Sequence, residues 1–331
     1  NNPHWGDAHV GEVWHGKQPF EYYRTCRHRF CSEFGFQSFP EPRTVESYTT
    51  PEERNITSYV MEHHQRSGIG NQTIIHYMLD WFRMPTSFES TLWLSQIVQG
   101  TSMRYAVEHW RRSMPRGMGT LYWQLNDCWP VASWSSLDYD GRWKALHYMA
   151  RRFNAPLIIS GVEDLARGTV AVHVTSDLLS EETGEVRWLV TTVRGEKVAD
   201  GNLLLTVQAQ ADNLATELNL QELIAQYGAR DLLIWLEYSD SLGSLRAENL
   251  VTLVRPKHLA LRDPQIELSF TKSYGIVTAV TVEAKKPALW VWLEAQEDAV
   301  RFSDNFFHLR PEQPVTVTVS GAAVSYTHLT L

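Results

Sequence analysis

Hydrophobic patterning changes character once along this chain, near Ala155-Pro156. Before that point short apolar runs alternate with helical patterns. After it nearly every segment alternates apolar and polar residues with the two-residue period of a half-buried strand. The change predicts a multidomain chain, with a mixed β/α region at 1–155 and an all-β remainder. In the remainder, 168–177, 186–193, 232–240 and 247–256 read as strands of one sandwich, interrupted by the helix-like "NLQELIAQYG". A second set follows Asp263-Pro264: "QIELSFTKSYGIVTAVTVEA", "ALWVWLEA" and "PVTVTVSG". The expected division is 1–155, a sandwich at 156–262 and a smaller one at 263–321. Residues 322–331 read as a non-native tail with no strand partner.

Within 1–155, "RFCSEF" at 29–34 is a strand pattern. From the Ser87 cap, Leu92, Ile97, Val98, Tyr105 and Trp110 recur at helical spacing up to Pro115. "GMGTLYWQLND" at 117–127 reads as the next strand and "GRWKALHYMARRF" at 141–153 as the next helix. A complete (β/α)8 barrel takes roughly 250 residues, so this stretch is expected to be the C-terminal half of a TIM barrel. In such a barrel the C-terminal strand ends carry the chemistry, and Glu33 stands at one. Two readings of Glu33 follow from position alone: a nucleophilic carboxylate, or an ion-pair partner of Arg27, His28 or Arg29.

Composition narrows the function classes. A net charge of −8 without a basic stripe speaks against nucleic-acid partners. Thirteen Trp, concentrated in the first 150 positions, fit both large cores and sugar-stacking sites. Cys26, Cys31 and Cys128 have neither zinc spacing nor an even count, so buried free thiols and a cytoplasmic location are expected. No apolar run reaches the roughly 18 residues of a membrane span. The opening "NNPHWGD" lacks an initiator Met and a leader pattern, which predicts a missing N-terminal part. Asp7, His9 and His15 match no metal-ligand spacing, and no metal or other cofactor is expected. "SLDYDGRWKALH" has Ser136 and His147 where a calcium loop needs ligands, and is read as a turn. His63-His64 is placed on a helix surface.

Four stretches carry a family resemblance. "RFCSEFGFQSFPEP" resembles the nucleophile strand of glycoside hydrolase family 2, in the form of its β-mannosidase branch. "GTLYWQLNDCWPVASWSSLDYDGRWKALHY" resembles the last barrel strand and its loop, and "GDAHVGEVWHG" the loop before the nucleophile strand. "FSDNFFHL" at 302–309 is similar to part of the C-terminal β domain. The resemblance implies half a TIM barrel followed by two immunoglobulin-like sandwiches. It also implies a retaining hydrolase that removes terminal non-reducing β-D-mannose, with Glu33 as nucleophile and Trp123 stacking on the sugar.

Asn126 and Asp127 are read equally as hydroxyl-binding residues and as an Asx-turn closing the strand. Trp14 and His15 are expected at the pocket rim, and Trp129 and Trp134 in loop packing. The family's acid/base is a Glu directly after an Asn. No Asn-Glu pair occurs in the 331 residues, so the chain by itself is expected to be inactive. Two alternatives remain: another family 2 specificity (β-galactoside, β-glucuronide or internal β-mannosyl bonds), or a carbohydrate-binding protein without catalysis. The oligomeric state is not legible.

Overall fold

The computed structural model describes residues 2–295, 297, 299–321 and 327–330. Its first part is built on three parallel strands in the order β1 (Ala8–Val10), β2 (Phe30–Phe34), β3 (Gly119–Thr120). Helices α1 (Pro42–Glu46), α2 (Tyr59–His63), α3 (Gly70–Trp81) and α4 (Phe88–Arg112) separate β2 from β3, and α5 (Ala145–Phe153) follows. Two details depart from expectation. The segment 6–16, read as a loop, contains β1. The strand expected over 117–127 is reduced to two residues, although its hydrogen-bond ladder continues: Met118 N–H donates to Arg29 O, Leu121 N–H to Cys31 O and Trp123 N–H to Phe34 O, at 2.8–2.9 Å.

Helix α4 begins where Ser87 Oγ accepts the Ser90 N–H at 3.1 Å, an N-cap that satisfies one of the helix's orphan donors. Leu92, Ile97, Val98 and Trp110 are buried on it, in one apolar core with Phe20, Tyr77 and Phe34. Polar residues interrupt this buried face. Gln99 donates to Phe36 O (2.8 Å) and Ser135 O (3.2 Å) and accepts from the Ser38 hydroxyl (2.7 Å). Ser95 Oγ accepts the Phe39 N–H (3.0 Å), and Gln96 Oε1 the Ala145 N–H at the start of α5 (3.0 Å). The helix therefore fixes the loops leaving β2 and β3 through backbone groups that would otherwise be buried unpaired.

The rest of the chain forms two sandwiches. Strands β4 (Leu157–Asp164), β5 (Thr169–Ser176), β6 (Glu182–Thr192), β7 (Lys197–Val207) and β8 (Ala211–Asn219) precede the short helix α6 (Gln221–Tyr227), and β9 (Leu232–Asp240) and β10 (Leu245–Thr252) follow it. Sheets β4-β5-β8 and β10-β9-β6-β7 enclose a core that includes Val172, Val190, Ile234 and Leu236. The second sandwich uses β11 (Ile266–Ser273), β12 (Ile276–Ala284), β13 (Ala288–Ala295), β14 (Arg301–Phe302), β15 (Phe307–Leu309), β16 (Val315–Ser320) and β17 (Thr327–Thr330). Its sheets are β11-β12-β16-β14 and β15-β13-β17. The tail expected to lack a strand partner has one over Thr327–Thr330, which pairs with β13 from Ala295 to Trp292. The remainder of that tail, 322–326 and 331, lies outside the described residues. Cys31 is buried, but Cys26 is half-buried and Cys128 exposed, so burial of all three thiols does not hold.

Arginines tie the first part to both sandwiches. Buried Arg111 pairs with Asp177 at 3.0 Å, half-buried Arg24 pairs with Glu163 at 2.8 Å, and half-buried Arg152 pairs with Asp304 at 2.7 Å. At the joint with the second sandwich, burial pushes the Glu41 carboxyl up to about 7. Asp138 and Glu294 add to the shift, and Arg142 and Arg43 oppose it. A carboxyl raised in the fold favours the protonated state, so its contribution is present below the ordinary Glu value and is lost as pH rises through about 7. Glu41→Gln should therefore gain stability relative to the parent between pH 5 and pH 8, by up to roughly 3 kcal/mol. Urea unfolding of both proteins at the two pH values measures this; an unchanged difference would refute it.

Candidate active site

The parallel sheet brings three segments to one edge. Register pairs His9 of β1 with Glu33 of β2, and the Trp123 N–H bonds to the carbonyl that follows Glu33. Glu33 and His9 are both well exposed, with His9 Nδ1 3.8 Å from Glu33 Oε1. Among the described residues no ion pair joins Glu33 to Arg27, His28 or Arg29. The His28 ring is instead buried edge-on against Trp110, at 4.7 Å. The structural ion pair considered for Glu33 is not formed. The carboxylate stands at a strand end, open to approach.

Gly35 explains how the segment after β3 comes so close. A Cβ built there would lie 2.3 Å from Trp123 O and 3.0 Å from Trp134 Cδ1. A side chain at 35 would thus push apart β2 and the segment that carries Trp123. The Trp123 ring itself is half exposed, as a stacking platform requires.

Asp127, read equally as a hydroxyl-binding and a turn-closing residue, is held within its own loop. It accepts from Ser133 Oγ (2.6 Å), Ser135 Oγ (2.5 Å) and Gln124 Nε2 (3.2 Å), so its oxygens are engaged in closing the 124–135 loop. The closure is wider than an Asx-turn. Behind it, Lys144 is fully buried and donates to Ser133 O at 3.3 Å. Burial lowers the ammonium to about 8, against the opposing pull of Asp127 and Asp138. Asn126 is exposed, and its carbonyl accepts from Gln124.

Trp14 is 2% exposed, with edge-on contacts to Phe36 (5.0 Å) and Trp134 (5.8 Å). It belongs to the core and does not form a rim. His15 is exposed, and among the described residues no hydrogen bond or ion pair joins it to Glu33. Trp134 packs in the loop as expected, and so does Trp129, which stacks on His64 at 4.7 Å. His64 also stacks on Tyr48 at 3.9 Å and its Nδ1 lies 2.6 Å from Pro130 O, so it is a packing residue, unlike exposed His63. Asp138 accepts the backbone N–H groups of Asp140 and Arg142, which makes 138–142 a turn, as its sequence suggested, ahead of α5.

Comparisons with known proteins identify the region of a larger protein to which this fold is similar. Residues 168–258 match the family described as the Mannosidase Ig/CBM-like domain, and residues 261–329 the Ig-fold domain family of mannosidases. β-Mannosidase A of Aspergillus clavatus is 30% identical over 329 residues, covering 88% of this chain and 35% of that protein. β-Mannosidase B of Aspergillus flavus is 28% identical over 345 residues, covering 97% and 40%. The crystal structure of the β-D-mannosidase from Dictyoglomus thermophilum superposes with a TM-score of 0.90 at 26% identity, over 100% of this chain and 40% of that one. The two sandwiches are Ig-like domains of these mannosidase families, and the chain as a whole is similar to the C-terminal region of family 2 β-mannosidases. It spans 35–40% of the length of these curated relatives.

Proposed function

We propose that residues 1–155 are the C-terminal half of a (β/α)8 barrel and that Glu33 is the nucleophile of a retaining β-mannosidase acting on terminal non-reducing β-D-mannose residues of oligosaccharides. The sandwiches then occupy 156–262 and 263–321. The observation that carries the reading is the open Glu33 carboxylate at the end of the middle parallel strand, next to the exposed Trp123 ring. Similarity to β-mannosidases supports the choice of sugar.

In this mechanism a Glu33 oxygen attacks C1 of the mannosyl residue as the bond from C1 to the leaving oxygen breaks. The leaving oxygen takes a proton from a carboxylic acid outside these 331 residues. The resulting glycosyl ester is hydrolysed when water, deprotonated by that same second carboxylate, attacks C1 and frees Glu33. Two inversions give net retention. The Trp123 face holds the ring as positive charge develops at C1. Asn126 reads a hydroxyl, His15 borders the entrance, and Asp127 keeps the loop in place through Ser133 and Ser135.

A 2-deoxy-2-fluoro-β-D-mannosyl fluoride traps the ester because the fluorine destabilises the cationic transition state. In the protein with the whole barrel, mass spectrometry should find the adduct on the peptide containing Glu33. Labelling on another peptide, or none while turnover continues, rejects the assignment.

A further inference from the structure

A cavity of about 180 Å³ lies where the first part meets the second sandwich, and no residue of the Glu33–Trp123 edge lines it. Its walls come from the start of α1, from α4, from the loop before α5 and from the end of β13. Aromatic side chains stack in a row behind it: Trp143 lies 5.0 Å from Tyr148, Tyr148 6.1 Å from Phe306, and Phe306 5.8 Å from Trp93, and of these Trp143 is the ring left partly open. Polar groups of both signs border the rings. Arg142 Nε is 3.5 Å from Glu41 Oε2, and Glu294 Oε1 accepts the Trp292 indole N–H at 3.0 Å.

The lining selects a ligand class by elimination. An anion would meet the Glu41 and Glu294 carboxyls, a cation would meet Arg142 and Arg301, and an apolar group would strip water from all of them without replacing it. A neutral polyol with an apolar face fits this lining: C–H groups against the Trp143 ring, and hydroxyls bonding to the Glu41 and Glu294 carboxyls and accepting from guanidinium. The volume falls below the roughly 300–1,000 Å³ of drug-sized pockets, which limits the occupant to one ring-sized unit.

We infer that this cavity is a second saccharide site that takes a single pyranose unit across the joint between the first part and the second sandwich. It does not depend on Glu33 being a nucleophile. The probes are methyl β-D-mannopyranoside, methyl β-D-glucopyranoside and methyl β-D-galactopyranoside, titrated into the 331-residue chain with calorimetry and tryptophan fluorescence as readouts.

At least one probe should give saturable binding that weakens about tenfold or more in Trp143→Ala and also in Glu294→Gln. Binding should be unchanged in Glu33→Gln and Trp123→Ala. Near-ultraviolet circular dichroism shows which variants keep the parent's packing, and Glu294→Gln carries the test if Trp143→Ala does not. Binding lost in Trp123→Ala but kept in Glu294→Gln, or no saturable signal with any of the probes, overturns the inference. The adduct experiment on Glu33 reads the catalytic proposal separately, so either can fail alone.

Discussion

Glu33→Ala, in the protein that carries the whole barrel, should lower turnover of 4-nitrophenyl β-D-mannopyranoside by on the order of 10⁴-fold or more and leave the melting temperature nearly unchanged. Both halves of that result follow from the site. The side chain is about half exposed, and the His9 ring 3.8 Å away is more exposed still, a contact that contributes little to stability. Removing it therefore leaves no buried group unpaired. Removing a nucleophile, in contrast, closes the double-displacement route altogether. Azide, small enough to enter the space left by the carboxylate, should restore part of the rate and give the α-mannosyl azide, the product of a single inversion. A variant that melts early but keeps its rate would return Glu33 to a structural role.

How much of this was legible in the sequence varies with how local the signal is. Strands β9 and β13 are read over 232–240 and 288–295, because each is a strand pattern rich in apolar residues whose burial is written in its own sequence. Helix α4 is read from its cap and period. Strand β1 was missed because three residues hold too little pattern, and its pairing with β2 lies more than twenty positions away. Strand β7 was missed for another reason: its interior Gly201 weakens the strand pattern. A Cβ there would lie 2.2 Å from the Trp188 ring across the sheet, so a side chain at 201 would have to displace that ring.

At the candidate site, residue type was legible and direction was not. Trp14 and Asp127 have the chemistry of sugar ligands. One turns into the core and the other into its own loop. The glutamines and serine on the buried face of α4 look like surface positions in a sequence, because the backbone carbonyls and N–H groups they meet come from loops far along the chain. The same holds for Lys144, whose burial no neighbouring residue announces.

Gly35→Ala should destabilise the first part by about 3 kcal/mol or more, near the upper end for overpacking. The added methyl would meet the Trp123 carbonyl oxygen at 2.3 Å, and neither atom sits on a flexible side chain that can rotate away. Relief requires β2 and the segment after β3 to separate, which lengthens the 2.8 Å bond from Trp123 N–H to Phe34 O. That segment is held from behind as well: Gln124 N–H donates to Trp134 O at 3.1 Å, and Gln99 fastens both Phe36 O and Ser135 O. The strain thus spreads into the loop that Asp127 closes, and Trp123 shifts relative to Glu33. Urea unfolding should show the loss of stability directly. In the protein with the whole barrel, the fraction that remains folded should also turn over aryl β-mannoside more slowly, since a displacement of about 1 Å in a positioning group can cost on the order of 100-fold in rate. A Gly35→Ala protein with parental stability would mean that the contact between the two strand ends is looser than 2.3 Å implies, and the close approach of Trp123 to the Glu33 strand would have to be abandoned.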